Sequence, residues 1–244
     1  MEKSNDTIKS KPYPDVTLEF NIPKHFFLAN GDRVDSVTKY TGVVDKSRAL
    51  MSWQEKLSRE ELLKRFRENG NLSEKDVIEA TSLHRVRKEQ AASLGTMAHD
   101  WCDHYALGEK QDLPSDPNVK NAVLAFLQWI EAEKFKIKMP EKHTYSKKYK
   151  YAGIADAVAM RNKKLALIDY KTSKGIYDEF RFQTAAYQNN LMEMGIDIEE
   201  RWIVQFDKET GDFHPHLLDD FKKDFAAFLG CRAIVLRQNE LKTW

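Results

Sequence analysis

The stretch YAGIADAVAMRNKKLALIDYKTSKG constrains this chain more than any other. It reads as two apolar strands, 151–160 and 165–171, flanking the polar turn Arg161 to Lys164. A turn of that length sets Met160 opposite Leu165. Stepping back along the pair puts Asp156 directly across from Asp169, with Cβ atoms roughly 4.5–5.5 Å apart. Two carboxylates then share one site. Like charges so opposed destabilise a sheet, and the neighbours expected on that face, Ile154, Val158 and Leu167, are apolar. Alternation places Lys171 on the face of Asp169 and turns Tyr170 to the other. One lysine neutralises the pair in part. A divalent cation does so more fully, and hard carboxylate oxygens suit magnesium or manganese. A surface hairpin with both aspartates in water is the plainer alternative, and for an isolated Asp-x-Lys it would be preferred. The apolar flanks AGIADAVA and LALI argue against it, because such strands are normally buried and an unpaired buried carboxylate is costly.

Around this hairpin the chain alternates between helical and strand periods. Residues 1–16, with Pro12 and Pro14, are expected to form a flexible arm ahead of a single domain, 17–244. Within that domain, 17–82 is read as an N-terminal hairpin and helical region and 83–244 as a catalytic core. Asn30-Gly31 marks a hairpin turn between FFLA and RVDSV. From Ser36 the pattern turns helical. Ser58 with Glu61 and Ser73 with Asp76 have capping-box spacing, each predicting a helix start. A longer helix is expected from about Leu83 to Leu107, where Leu94, Ala98, Trp101 and Tyr105 recur at helical spacing before Gly108. Further helices are expected over 117–135, 177–194 and 219–237, with strands at 144–146, 201–206 and 213–216.

Composition narrows the function classes. A 244-residue chain with 41% hydrophobic and 32% charged residues is a soluble globular protein of domain size. Its 39 basic and 38 acidic side chains nearly cancel, so affinity for a polyanion must come from local patches. The lysine run from Lys134 to Lys150 is read as a solvated face. Two cysteines, Cys102 and Cys231, are too few for a disulfide framework or a thiolate cluster. Without a signal-like or membrane-length apolar run, the expectation is a reducing, cytoplasmic setting and no membrane partner.

These residues and their flanking motifs resemble the PD-(D/E)XK nuclease superfamily in its RecB-like exonuclease branch. Asp156 in GIAD matches the first acidic position, and Asp169 and Lys171 in IDYK match the second acidic position and its lysine. Upstream, LGTMAHDWCD resembles the GT-x-x-H helix, with His99 at the histidine and Asp103 one turn on. Downstream, FQTAAYQ resembles the Q-x-x-x-Y helix, with Gln183 and Tyr187. VTKYTGVVDKSRALMSWQEK is similar to the N-terminal helical part of phage and actinobacterial members. The resemblance runs from Val37 to Leu191. Two departures stand out: Asp replaces the commoner Glu at the second acidic position, and the four cysteines of the iron-sulfur members are absent, so no such cluster is expected.

The resemblance implies an α/β restriction-endonuclease-like core, a mixed central sheet flanked by helices, with an N-terminal helical region. It implies a Mg2+- or Mn2+-dependent deoxyribonuclease, an exonuclease of DNA recombination, repair or replication. His99, Asp156, Asp169 and the backbone carbonyl of Tyr170 would hold the metal, with Asp103 at the second ring nitrogen of His99. Lys171 would position the attacking water and Gln183 would orient Lys171 or the nucleic-acid backbone. Thr172, Ser173, Lys174, Tyr187 and Arg85 are candidate nucleic-acid contacts. Glu141 falls where this branch is often acidic. His104, His143, His214 and His216 are assigned no role. No Walker A loop occurs, so ATP-driven unwinding would need a helicase or recombination partner protein. If the chain is phage-encoded, the compartment is the host cytoplasm. An endonuclease of the same fold and an inactive nucleic-acid-binding relative are the alternatives, the latter expected to lack at least one of His99, Asp156, Asp169 and Lys171.

Overall fold

The computed structural model describes residues 2–4 and 7–242. The chain falls into two compact units: one holds the residues up to Val44 together with those from Ala98 onward, the other Asp45–Met97.

The first unit is a mixed α/β structure built on a ten-stranded sheet. Strands β1 (Glu2–Ser4), β2 (Thr7–Tyr13), β3 (Val16–Asn21), β4 (Phe26–Ala29) and β5 (Asp32–Ser36) form an antiparallel meander. The segment expected as an arm therefore carries strand β2, while Met1, Asn5 and Asp6 lie outside the described residues. Only Ile8 of β2 is fully buried, which leaves little hydrophobic signal in TIKSKPY. Pro12 is accommodated because the register with β3 shifts between Ser10 and Tyr13. The β4–β5 turn takes positive φ at Asn30 (52°) and Gly31 (90°), as the Asn-Gly pair predicts.

A short helix α1 (Val37–Thr41), capped by the Ser36 hydroxyl on the Lys39 amide, leads out of β5. Helix α4 (Pro117–Glu133) starts where Asp116 Oδ1 accepts from the amides of Asn118 (2.8 Å) and Val119 (3.2 Å) with Pro117 next. It is followed by β6 (Lys136–Ser146), β7 (Tyr151–Arg161) and β8 (Lys164–Lys171). Helix α5 (Asp178–Glu193), strands β9 (Glu200–Phe206) and β10 (Phe213–Leu217), and helix α6 (Phe221–Leu241) complete the unit. Strand β7 pairs with β6 along one edge and with β5 and then β8 along the other; the β5–β7 and β8–β9 pairs are parallel. The lysine run expected as a solvated face is largely strand β6, with Ile137 and Met139 partly covered between exposed lysines.

Two cores result. Tyr40, Tyr151, Val158, Leu167, Tyr187 and Phe228 pack between the sheet and helices α1, α5 and α6. Phe126 and Trp129 of α4 pack with Tyr170 and Phe206 at centroid separations of 5.4–6.3 Å. Complete burial of a wholly apolar side chain such as Phe126 contributes about 1.5–3 kcal/mol.

The second unit consists of α2 (Ser47–Asn69) and the first part of α3 (Glu74–Ala106). The Ser73–Asp76 box forms as the spacing predicts: the Asp76 amide donates to Ser73 Oγ, and the Ser73 amide donates to Asp76 Oδ2 at 2.9 Å. The Ser58–Glu61 pair does not open a helix. Helix α2 already begins at Ser47, whose amide is taken by Asp45 Oδ1 at 2.8 Å, and Glu61 instead accepts from Arg65. Likewise no new helix starts at Leu83, because α3 runs unbroken from Glu74. Among the described residues no helix is long and apolar enough to cross a membrane.

Candidate active site

The β7–β8 turn places Asn162 (φ 50°) and Lys163 (φ 65°) in the left-handed region, matching the twist that a two-residue hairpin requires. The register follows the sequence expectation from Arg161–Lys164 and Met160–Leu165 back to Ala157–Ile168. There the ladder stops, one step short of the aspartates. Asp156 Oδ2 accepts the backbone N–H of Tyr170 at 2.7 Å, so a carboxylate closes the end of the ladder. On the opposite edge Glu141 falls between the pairs Pro140–Ala157 and Lys142–Ala155, hence beside Asp156. Its φ of 41° marks a local departure from strand geometry. Side-chain alternation breaks at the same level. Tyr151, Ala155 and Val158 share one core, while Ile154 packs with Ala152 and Phe27 in another. The expectation that Ile154 shares the face of Asp156 and Val158 is thus corrected: strict period-two counting does not survive the irregularity at Glu141.

Asp169 is 1% exposed. Lys171 Nζ stands 2.5 Å from its Oδ2 as an ion pair, yet neither carboxylate oxygen has a well-directed hydrogen bond among the described residues. The ammonium also lies 4.7 Å from the centroid of the Phe180 ring. Gln183 Nε2 donates to the Tyr187 hydroxyl at 2.9 Å, and Tyr187 is buried close enough for the Asp169 charge to act on its phenol. Gly153 permits that placement, since a Cβ there would lie 2.4 Å from Tyr187 Cε1.

His99, on the part of α3 that belongs to the first unit, brings Nδ1 to 3.8 Å from Asp156 Oδ2. Its ring meets the Tyr170 ring edge-on at 5.9 Å. Tyr170 itself turns away from Asp169 and into the aromatic core, as alternation predicts. Asp103, one turn beyond His99, acts on the Tyr170 phenol, which burial and the neighbouring Cys102 and Asp103 push far above its ordinary value.

Burial sets the electrostatics. It pushes the Asp169 carboxyl up to about 6, with Asp156 adding to the rise and Lys171 opposing it. Asp156 is raised as well, by burial first and then by Glu141, against the pull of Lys171 and the Tyr170 amide. His99 is held down to about 4 by burial and by Lys171, leaving a neutral imidazole with a free lone pair at pH 7. For Lys171 burial works against the ammonium, but Asp169 and Asp156 outweigh it and the net shift is upward.

Against this geometry, no family model and no curated protein matches the sequence. Among solved structures, one described as the crystal structure of SSO0001 aligns at 15% identity over 49% of this chain, with a TM-score of 0.30. The alignment spans 62% of that protein, less than two-thirds of its length. Likeness at that level carries no argument, so the site must be read from its own chemistry.

Among the described residues no three His, Cys, Asp or Glu side chains form a ready-made cage for an ion. The donors nonetheless fit magnesium or manganese. Such ions are commonly held through one or two carboxylates with water completing the shell. Asp156 and Asp169 supply those carboxylates, and Asp169 keeps a buried oxygen in need of a partner. Neighbouring ligands at about 2.1 Å from one octahedral ion stand about 3 Å apart, so His99 Nδ1 and Asp156 Oδ2, 3.8 Å apart, would have to close by somewhat less than about 1 Å to share one.

The remaining candidates fall around this centre or away from it. Ser173 Oγ donates to the Gly175 carbonyl, and Gln205 Nε2 donates to the Ser173 carbonyl, fixing the loop after β8. Lys174 is exposed and paired with Glu209 at 2.7 Å, and Thr172 is half-buried. Arg85 is exposed on the part of α3 that belongs to the second unit. Sequence reasoning missed Glu179 and Phe180. Glu179 is buried and its charge acts on Lys171. A signal existed: Glu179, Gln183 and Tyr187 recur every four residues, on one face of α5.

Proposed function

We propose that this chain is a PD-(D/E)XK nuclease of the RecB-like branch that hydrolyses phosphodiester bonds in DNA, attacking from free ends. The observation that carries the proposal is the buried Asp169 carboxylate, ion-paired to Lys171, at the level where Asp156 and His99 also meet. A fully buried acid at the end of a core strand is expensive as structure alone and inexpensive where a cation completes it.

His99, Asp156, Asp169 and the Tyr170 carbonyl are the residues proposed to hold magnesium or manganese. Bound there, the ion would supply Lewis-acid polarisation of a phosphoryl oxygen and a more acidic water. Lys171 is held between Asp169 and the Phe180 ring, so its ammonium presents charge in a fixed direction to a phosphate whose negative charge grows during attack. The hydrogen bond from Gln183 to the Tyr187 hydroxyl fixes both side chains on the α5 face, close enough to Asp169 for its charge to act on the phenol. Neutral His99 donates a lone pair rather than repelling a cation.

The test of end preference compares linear DNA with covalently closed single-stranded circles at equal nucleotide concentration in magnesium. The expected result is release of nucleotides from the linear substrate and intact circles. Rapid nicking of the circles would replace the exonuclease reading with an endonuclease of the same chemistry, and binding without any cleavage would favour an inactive relative.

A further inference from the structure

A second charged feature lies in the first unit, outside the candidate active site. A cavity of about 550 Å³ is lined by Lys9, Ser10 and Lys11 of β2, Thr17 of β3, and Lys142 and His143 of β6. Three cations line it. Lys9 is paired to Glu19 at 3.0 Å, but among the described residues neither Lys11 nor Lys142 has a carboxylate partner. Lys11 is exposed and Lys142 half-buried. Burial alone pulls the Lys142 ammonium below its usual range, the signature of a cation that has lost water without gaining a counter-charge. The Ser10 hydroxyl is buried and makes no hydrogen bond among the described residues. A desolvated cation, an unsatisfied hydroxyl and a second free lysine around one cavity form an anion site, and the volume is that of a nucleotide-sized ligand.

Its position selects the ligand. Lys142 follows Glu141 directly and pairs with Ala155, the residue before Asp156, so the cavity wall and the candidate active site share adjacent positions on β6 and β7. We infer that this cavity binds the phosphodiester backbone of a nucleic-acid strand, extending the substrate path from the active site onto the N-terminal sheet. The inference rests on the nuclease reading for its ligand but on different residues for its evidence.

The test is fluorescence anisotropy with a labelled thymidine oligonucleotide, in EDTA to prevent cleavage, over a salt series. The full chain is compared with Lys11→Glu and Lys142→Met, with inorganic phosphate as competitor. Each variant should bind about tenfold more weakly, and the double variant should lower the slope of log affinity against log salt by about 1.4, the single-strand value for two phosphate contacts. Lys11 is exposed, so Lys11→Glu keeps the test decisive even if Lys142→Met fails to fold. Wild-type affinity and slope in Lys11→Glu would overturn the inference. So would phosphate occupying the cavity without displacing the oligonucleotide, which would make it a small-anion site. DNA cutting by wild-type protein with unaltered binding by the variants would remove the cavity and leave the nuclease reading. Lysine-dependent binding by a protein that never cuts would do the reverse.

Discussion

Trp129 on α4 is fully buried, with Phe135, Phe126, Tyr170 and Phe206 around its ring, whereas Trp53 on α2 leaves 41% of its surface in solvent. The contrast holds for the units to which they belong. In Asp45–Met97 only Ala80 is buried, and Leu50, Met51, Leu63, Phe66 and Ile78 are all exposed. What ties its helices is charge: Arg65 of α2 meets Asp76 at 2.9 Å and Glu79 at 2.8 Å on α3, besides Glu61 of its own helix at 2.8 Å, all partly in solvent. Exposed ion pairs add little and are screened by salt. The sheet-bearing unit is held by apolar packing, and that is where a carboxylate such as Asp169 can be kept dry. A costly buried charge needs a unit with stability to spare.

The largest expected effect sharpens this contrast. Trp129→Ala should cost about 3–5 kcal/mol in urea unfolding followed by circular dichroism, through lost burial and the cavity left behind. A cost below about 1 kcal/mol would mean that the aromatic core is not what stabilises the sheet.

A smaller effect of opposite sign is expected at the site. Asp169 has its folded pKa raised to about 6, against about 3.9 for an unfolded chain. A raised carboxyl costs stability wherever it is ionised, and the cost lifts as pH falls through 6 because the folded state takes up its proton first. Asp169→Asn should therefore stabilise the metal-free protein at pH 8 by about 1–3 kcal/mol, with the gain fading towards pH 4. His99, lowered to about 4, works in the other direction: acidification below about 6.5 costs stability because the folded state resists its proton. Present in both proteins, it largely cancels from the comparison. Destabilisation by Asp169→Asn at pH 8 would mark the Asp169–Lys171 pair as structural.

The smallest effect is expected in the helical unit. Leu63→Ala, at a side chain 47% exposed, should change stability by no more than about 0.5 kcal/mol. A loss above about 2 kcal/mol would show that this helix buries its apolar residues against a partner in solution.

How much was legible in the sequence follows the same physics. The β7–β8 register could be read because a polar turn and two apolar runs leave one pairing that keeps both strands buried. The Ser73–Asp76 box was legible because both of its hydrogen bonds are local. The Ser58–Glu61 spacing misled because the same residue types serve equally well inside an exposed helix, where Glu61 finds Arg65 instead. Strand β2 was missed because its pairing with β3, not its single buried Ile8, makes it a strand. At the site, Asp156, Asp169 and Lys171 were visible as a pattern. The closure of the ladder by Asp156 was not, because a side chain there takes the Tyr170 amide that regular strand pairing would give to backbone. Glu179 does not stand out in the sequence, because a lone acid in the first turn of a helix has an ordinary explanation in the helix dipole.

The most direct test of the central claim is cleavage of end-labelled linear DNA by wild-type protein and by Asp156→Ala, Asp169→Ala and Lys171→Ala, with circular dichroism confirming the fold of each. Cleavage is expected to require magnesium or manganese, to stop with EDTA, and to fall by at least about a hundredfold in every variant. A correctly folded variant of any of the three that keeps near wild-type turnover would contradict that claim.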